Sequence, residues 1–231
     1  MIRLIESRAM AGMETLKGFR TLSPAERELI AAATREHTFA PGRPIFEEGK
    51  PAEALWAVKS GLVHIIKFGS DGREIVLEVI PPGELFGAVV ALQNRPYPAS
   101  AVAAEPSVVW HMPANLAREL CQKHPALHSA ILDQITTRLR GAHERLRSVA
   151  LERVEQRLAR MLLTLADKIG QRNGTVTELN VTRQELADMI GTTVETTIRI
   201  TSKWQHARII SSFRNRIVLA DPEKLRKLLA G

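Results

Sequence analysis

Hydrophobic and polar positions along this 231-residue chain change period three times, and each change marks a different kind of structure. Between residues 13 and 36, Leu16, Phe19, Leu22, Leu29 and Ile30 recur at helical spacing, which predicts a helix anchored by those side chains. Ser23 before Pro24, with Glu26 three residues on, gives that segment a start signal. From Phe39 the period shortens. The runs ALWAVKS, LVHIIKF, EIVLEVI, SAVAAE and SVVWHM stand between turn signals such as Pro41-Gly42, Glu48-Gly49, Ser60-Gly61, Ser70-Asp71-Gly72 and Pro82-Gly83. Short strands with such regular punctuation predict an antiparallel roll or barrel. Asp71-Gly72 is the strongest hairpin signal among them.

Helical periodicity returns after Pro113. From Pro125 to about Ala150, Leu127, Ile131, Ile135, Leu139, Ala142, Leu146 and Val149 step by three or four residues, as in a coiled-coil seam. The spacing predicts one long helix whose seam meets a second copy of the chain; the alternative is a helix lying on its own roll. A further helix is expected over roughly Leu151 to Ile169.

The stretch TRQELADMIGTTVETTIRITSKW, residues 182–204, carries the clearest chemistry. Thr182 and Glu185 form a capping box, Leu186, Ala187 and Ile190 give an apolar face, and Gly191 suits a left-handed turn. Thr192 or Thr193 can cap a second helix, in which Ile200 and Trp204 repeat at helical spacing. Two helices joined by a tight turn form a helix-turn-helix, which presents its second helix to the major groove of DNA. The following ARIISSFRNRIVLAD reads as a hairpin with its tip near Arg214-Asn215-Arg216, a basic wing suited to phosphate. Thr182, Arg183, Thr193, Val194, Glu195, Ile198, Arg199 and Lys203 are the candidate DNA contacts of the motif, and Arg214 and Arg216 those of the wing. Glu195 has a second reading, as capping partner of Thr192. The fold class is α+β: a β-roll sensor over residues 1–125, a dimerisation helix over 126–150 and a winged helix-turn-helix over 151–231.

Charge sharpens the picture. The formal net charge is +7, and residues 151–231 carry 14 basic against 9 acidic side chains, whereas residues 1–150 carry 18 against 16. The basic excess sits with the helix-turn-helix, as a polyanion binder requires. One cysteine, Cys121, excludes an intramolecular disulfide and an iron–sulfur cluster needing several thiolates from one chain. Arg3, Glu6 and Arg8 interrupt the first residues, so no secretory signal is expected, and no apolar run approaches a membrane span. A cytoplasmic protein without membrane partners follows. P-loop, HExxH, Rossmann and Ser-His-Asp patterns are absent from the sequence, so no enzyme is expected. The rival class is a ligand-binding module acting through a protein partner, its helix-turn-helix serving only for packing.

The order of roll, long helix and winged motif resembles the CRP/FNR family of bacterial transcription regulators over essentially residues 14–230. KSGLVHIIKFGSDGREIVLEVIPPGELFG and TRQELADMIGTTVETTIR carry the resemblance. It implies a homodimer on a palindromic promoter site, controlled by an effector or by a redox or gas signal, with RNA polymerase as partner if the protein activates. The resemblance places Glu195 and Arg199 at base-reading positions. Ile198, Val194 and Arg208 depart from the family's small, polar and glycine residues respectively. It places an effector pocket at Gly83, Glu84, Leu85, Phe86, Tyr97, Pro98, Ala142 and His143. Gly83-Glu84-Leu85 keeps the family's ribose-holding segment, but Tyr97 and Pro98 stand where cyclic-AMP-binding members have Arg-Ser. Proline offers a phosphate neither hydroxyl nor N–H, and a buried phosphate without a cation is costly. These departures argue against cyclic AMP, and the alternative is a cyclic-nucleotide-responsive regulator of the same fold. Haem stays open as cofactor, with His64, His111 and His143 as candidate axial ligands, beside an effector-free reading in which Tyr97, Phe86 and Leu85 fill the pocket themselves.

Overall fold

The computed structural model describes Leu16, residues 22–70, Gly72, residues 74–174 and residues 176–229. Two compact units emerge, residues 1–68 with 77–139, and residues 69–76 with 140–231.

In the first unit, helix α1 (Pro24–Ala33) begins where the capping box puts it: Ser23 Oγ accepts from the Glu26 amide while Glu26 accepts from the Ser23 amide, at 3.4 and 2.8 Å. It ends earlier than the periodicity predicts. Thr34 turns extended, and Arg35 and Glu36 open strand β1 (Arg35–Phe39) by pairing with His111 and Trp110. Leu16, Leu22 and Ile30 are buried, but Leu29 is 52% exposed and anchors nothing. Phe19 and the rest of the expected helix before Leu22, apart from Leu16, lie outside the described residues.

The strands β2 (Pro44–Phe46), β3 (Ala54–Ser60), β4 (Val63–Phe68), β5 (Glu74–Ile80), β6 (Leu85–Phe86), β7 (Ser100–Ala103) and β8 (Ser107–Pro113) complete two four-stranded sheets, ordered β1-β8-β3-β6 and β2-β7-β4-β5. The period of two in β3 and β8 explains the layering, because successive side chains point to opposite faces. Ala54, Trp56, Val58 and Val109 join Val63, Ile80, Phe86 and Ala101 in one core. Their neighbours Leu55, Ala57, Trp110 and Met112 join a second core with the helices. Those helices are α1, through Ile30, with α2 (Ala88–Gln93), α3 (Ala114–Lys123) and α4 (Pro125–Leu151). At 27 residues, α4 is about 40 Å long at 1.5 Å per residue.

The N-terminal half of the expected seam on α4 is occupied by the chain itself. Leu127 and Ile131 are each 3% exposed within the second core, and Ile135 packs against it. Leu132, Leu139, Leu146, Val149 and Leu151 point outward, 47, 54, 68, 60 and 74% exposed. The expected seam is therefore covered by the chain itself at Leu127 and Ile131 and exposed from Leu139 onward.

In the second unit α4 gives way to α5 (Val154–Ile169), three residues later than the periodicity predicts. The junction is held by Glu152, which accepts from Ser148 at 2.6 Å and from Arg160 Nε at 3.1 Å on both oxygens. The Arg160 hydrogen bonds hold its carboxyl below the usual range. Strands β9 (Gln171–Asn173) and β10 (Val176–Leu179), helices α6 (Arg183–Ile190) and α7 (Val194–His206), strands β11 (Ile210–Ser212) and β12 (Ile217–Leu219), and helix α8 (Pro222–Leu229) follow. The sheet runs β11-β12-β10-β9, so the wing hairpin is half of a larger sheet. Leu158, Leu162, Leu165, Leu186, Ile190, Trp204, Ile217 and Leu225 are buried in this unit.

Candidate nucleic-acid interface and effector region

The turn between α6 and α7 is built as its residues dictate. Thr182 Oγ1 accepts from the Glu185 amide at 3.1 Å, and Glu185 accepts from the Thr182 amide at 2.7 Å. Gly191 closes α6 at φ 64°. Thr193, not Thr192, caps α7: its hydroxyl accepts from the Thr196 amide at 3.3 Å. That choice leaves Glu195 outside any capping box and exposed.

Helix α7 divides its sides sharply. Thr197, Ile200, Thr201 and Trp204 are buried. The two buried hydroxyls are satisfied locally, Thr197 on the Thr193 carbonyl at 3.2 Å and Thr201 on the Thr197 carbonyl at 2.8 Å. The opposite side exposes Glu195, Ile198, Arg199, Ser202 and Lys203, with Ile198 44% exposed. Of the other candidates, Thr193 is exposed, while Val194, Thr182 and Arg183 are half-buried. Arg183 Nε is buried without a hydrogen-bond partner, so that side chain is less free than a simple phosphate contact would be. Lys203 is already paired, its Nζ 2.9 Å from Glu155. In the wing Arg214 and Arg216 are both exposed, but Arg216 lies 3.0 Å from Glu178 and stacks 4.8 Å over the Phe213 ring. The acidic partners Glu155 and Glu178 had no signature in the sequence, because they reach these cations across 48 and 38 residues.

Arg208, just beyond α7, adopts φ 56°. The left-handed conformation there is the physical reason for a glycine at this position. An L side chain in it costs about 1–2 kcal/mol. Arg208→Gly is therefore expected to stabilise the protein by about 1 kcal/mol, read as a higher urea midpoint at unchanged slope. A lower midpoint would show that the arginine side chain repays its backbone strain.

The sensor residues are placed less permissively than the resemblance implies. Gly83 turns at φ 83°, and Glu84 follows with its carbonyl accepting from the Val58 amide at 3.1 Å. Leu85 and Phe86 are buried in β6. Arg138 of α4 closes on this segment. Its Nε is 2.8 Å from Glu78, its Nη2 is 3.5 Å from Glu84, and it donates to the Leu85 carbonyl. Gln134, one turn earlier, reaches the same carbonyl at 3.4 Å. Spacing along the helix gave Arg138 no role, because its contact with Leu85 spans 53 residues.

Tyr97 is 4% exposed and fixed at every polar atom. Its hydroxyl accepts from Trp56 Nε1 at 3.0 Å and donates to the Ala54 carbonyl at 2.9 Å. Its amide and carbonyl pair with Lys50 and Gly49. The ring stacks on Phe46 at 3.7 Å and 8°. Pro98 is exposed, with its carbonyl 3.2 Å from Lys67 Nζ. At the positions that the resemblance assigns to ribose and phosphate, Glu84 thus lies beside an arginine, and a buried phenol precedes an exposed proline. Ala142 and His143 lie on the second-unit portion of α4, the histidine exposed.

Of the haem candidates, His64 is buried in β4 and His111 is half-buried in β8. The His111 ring packs against both Trp56 and His37, at 4.7 and 5.5 Å, and burial, followed by the His37 charge, pushes its pKa down. Among the described residues no group of three or more His, Cys, Asp or Glu side chains is arranged to hold a metal ion. No helix among them is long and apolar enough to cross a membrane.

Comparison with known proteins agrees with both halves of this geometry. Residues 36–124 match the cyclic nucleotide-binding domain, and residues 156–228 match the Crp-like helix-turn-helix domain. The chain is similar to the cyclic AMP receptor protein of Thermus thermophilus, 30% identical over 182 residues, which cover 79% of this chain and 82% of that one. It is similar to a CRP-like cAMP-activated global transcriptional regulator of Mycobacterium tuberculosis, 27% identical over 87% of this chain and 92% of the relative. Among solved structures, a CRP/FNR-family transcriptional regulator from Thermus thermophilus superposes with a TM-score of 0.71 at 25% identity, covering 85% of this chain and 99% of that one.

Proposed function

The chain belongs to the CRP/FNR family of DNA-binding transcription regulators, and from that premise we propose that it acts as a homodimer on a two-fold symmetric promoter site without cyclic AMP. The observation that carries the last clause is the Arg138 contact with Glu84 and Leu85, reinforced by the hydrogen-bonded Tyr97. A nucleotide entering here would have to displace both and leave its phosphate facing Pro98.

On the DNA side, α7 is the reading helix. Arg199 suits a bidentate contact to guanine O6 and N7, Glu195 a contact to cytosine N4, and Ile198 a thymine methyl. Arg214 and Arg216 of the wing supply sequence-independent phosphate contacts. Leu132, Leu139, Leu146 and Val149 supply the dimer seam, with Ile135 and Ala142 filling the intervening heptad positions. A second copy places two reading helices on successive turns of one face of the duplex.

Titration calorimetry with cyclic AMP tests the sensor reading. No saturable heat is expected up to about millimolar nucleotide, a concentration at which even a ligand of only −4.1 kcal/mol half-saturates. Saturable binding at micromolar nucleotide, abolished by Glu84→Ala, would restore the cyclic-nucleotide reading.

A further inference from the structure

A carboxylate sits on the inner flank of the reading helix, where the function gives no obvious reason for a negative charge. Glu155 lies in the first turn of α5. Its Oε1 accepts from the indole N–H of Trp204 at 3.0 Å and from Lys203 Nζ at 2.9 Å, and its Oε2 is 3.3 Å from the same ammonium. Trp204 is 1% exposed. The Glu155 side chain is 31% exposed and that of Lys203 69%.

Two demands meet on this one side chain. A buried indole N–H needs an acceptor, since leaving it unpaired keeps its full desolvation penalty. A neutral amide or hydroxyl would serve that need. A carboxylate adds a charge of the wrong sign for a surface that meets phosphate, and it occupies a cation of α7. Arg199 stands one helical turn before Lys203, and its charge also contributes to lowering the Glu155 carboxyl, after the larger effect of the Lys203 hydrogen bond. The place of Glu155 in the chain adds a mechanical role, because Glu152, three residues earlier, ties the end of α4 to Arg160 of α5. The turn that leaves the long helix is thereby joined to the last turn of the reading helix by hydrogen bonds.

We propose that Glu155 is a positioning residue for DNA reading: it fixes the rotation of α7 through Trp204 and withholds Lys203 from phosphate. The first action serves discrimination, since Arg199 and Glu195 read base edges only when α7 presents them at one angle. The second lowers sequence-independent affinity, since Lys203 must leave Glu155 before it can neutralise a phosphate. The proposal rests on α7 being the helix that contacts DNA.

Two variants separate the actions. Glu155→Gln keeps an acceptor for the indole and removes the charge. Glu155→Ala removes both. Binding of each full-length variant to an operator duplex and to a random duplex is measured across a salt series. In Glu155→Gln, both affinities are expected to rise several-fold, the salt slope to steepen by about 0.9, the value of one released counterion, and the operator-to-random ratio to stay near wild type. Adding Lys203→Ala should cancel the gain and the extra slope, a coupling that a double-mutant cycle isolates. Glu155→Ala should show the steeper slope together with a reduced ratio. An unchanged slope in Glu155→Gln, or a gain that survives Lys203→Ala, overturns the withholding role. An unchanged ratio in Glu155→Ala overturns the positioning role. Failure of the wild-type chain to bind DNA in any salt-dependent way would instead sink the reading of α7 itself.

Discussion

Replacing Leu139 and Leu146 together by glutamate is expected to convert the protein to a monomer and to cut operator affinity by about 10²–10⁴-fold, the advantage of joining two binding modules. Leu132, Leu139 and Leu146 are seven residues apart on α4, and Ile135, Ala142 and Val149 fall three residues after each. That is an alternating three-four seam, and leucines 54 and 68% exposed at Leu139 and Leu146 leave it uncovered in the single chain. Burying a leucine stabilises by about 1.5–3 kcal/mol, and a two-fold interface counts each position twice. Glutamates there would face one another at short range. The same substitutions at Leu127 or Ile131 would unfold the chain instead, because those side chains belong to its own core. Light scattering and circular dichroism distinguish the outcomes: the double variant should stay folded at half the mass. A folded dimer would place the interface elsewhere.

Arg199→Ala is expected to weaken operator binding by about 5- to 160-fold per half-site, corresponding to the 1–3 kcal/mol carried by a bidentate base contact. Its effect should be confined to one base pair per half-site, at which all four pairs become nearly equivalent. Arg216→Ala should behave differently. It is expected to weaken operator and random DNA alike and to reduce the salt slope by about 1. Its loss is moderated because Arg216 already shares its charge with Glu178 at 3.0 Å. Competition binding with single-position operator variants reads both. Equal, sequence-independent losses for the two arginines would mean that Arg199 holds phosphate and that another residue reads the base.

Local signals carried most of the fold. Ser23, Thr182 and Gly191 act within three or four residues of themselves, and each element they delimit begins or ends where they stand. The β3 and β8 alternation was legible for the same reason. Strands too short for a period, such as β2, β6 and β9, were missed, and so was α8. On α4, spacing by three and four described one continuous series, and only the three-dimensional packing shows that Leu127 and Ile131 join the chain's own core while Leu139 and Leu146 stay exposed. The reading residues on α7 were visible because one helix presents them. The contacts that restrain them were not: Glu155 meets Lys203 across 48 residues, and Arg138 meets Leu85 across 53. Arg208 stood out in sequence as a missing glycine, and its φ of 56° supplies the reason.

The most direct test of the whole account is selection of duplexes from a random pool by the purified full-length protein, with and without cyclic AMP. The expected result is one enriched, two-fold symmetric sequence with half-sites about 34–36 Å apart, the same in both selections. No enrichment, or enrichment only when cyclic AMP is present, would contradict the account.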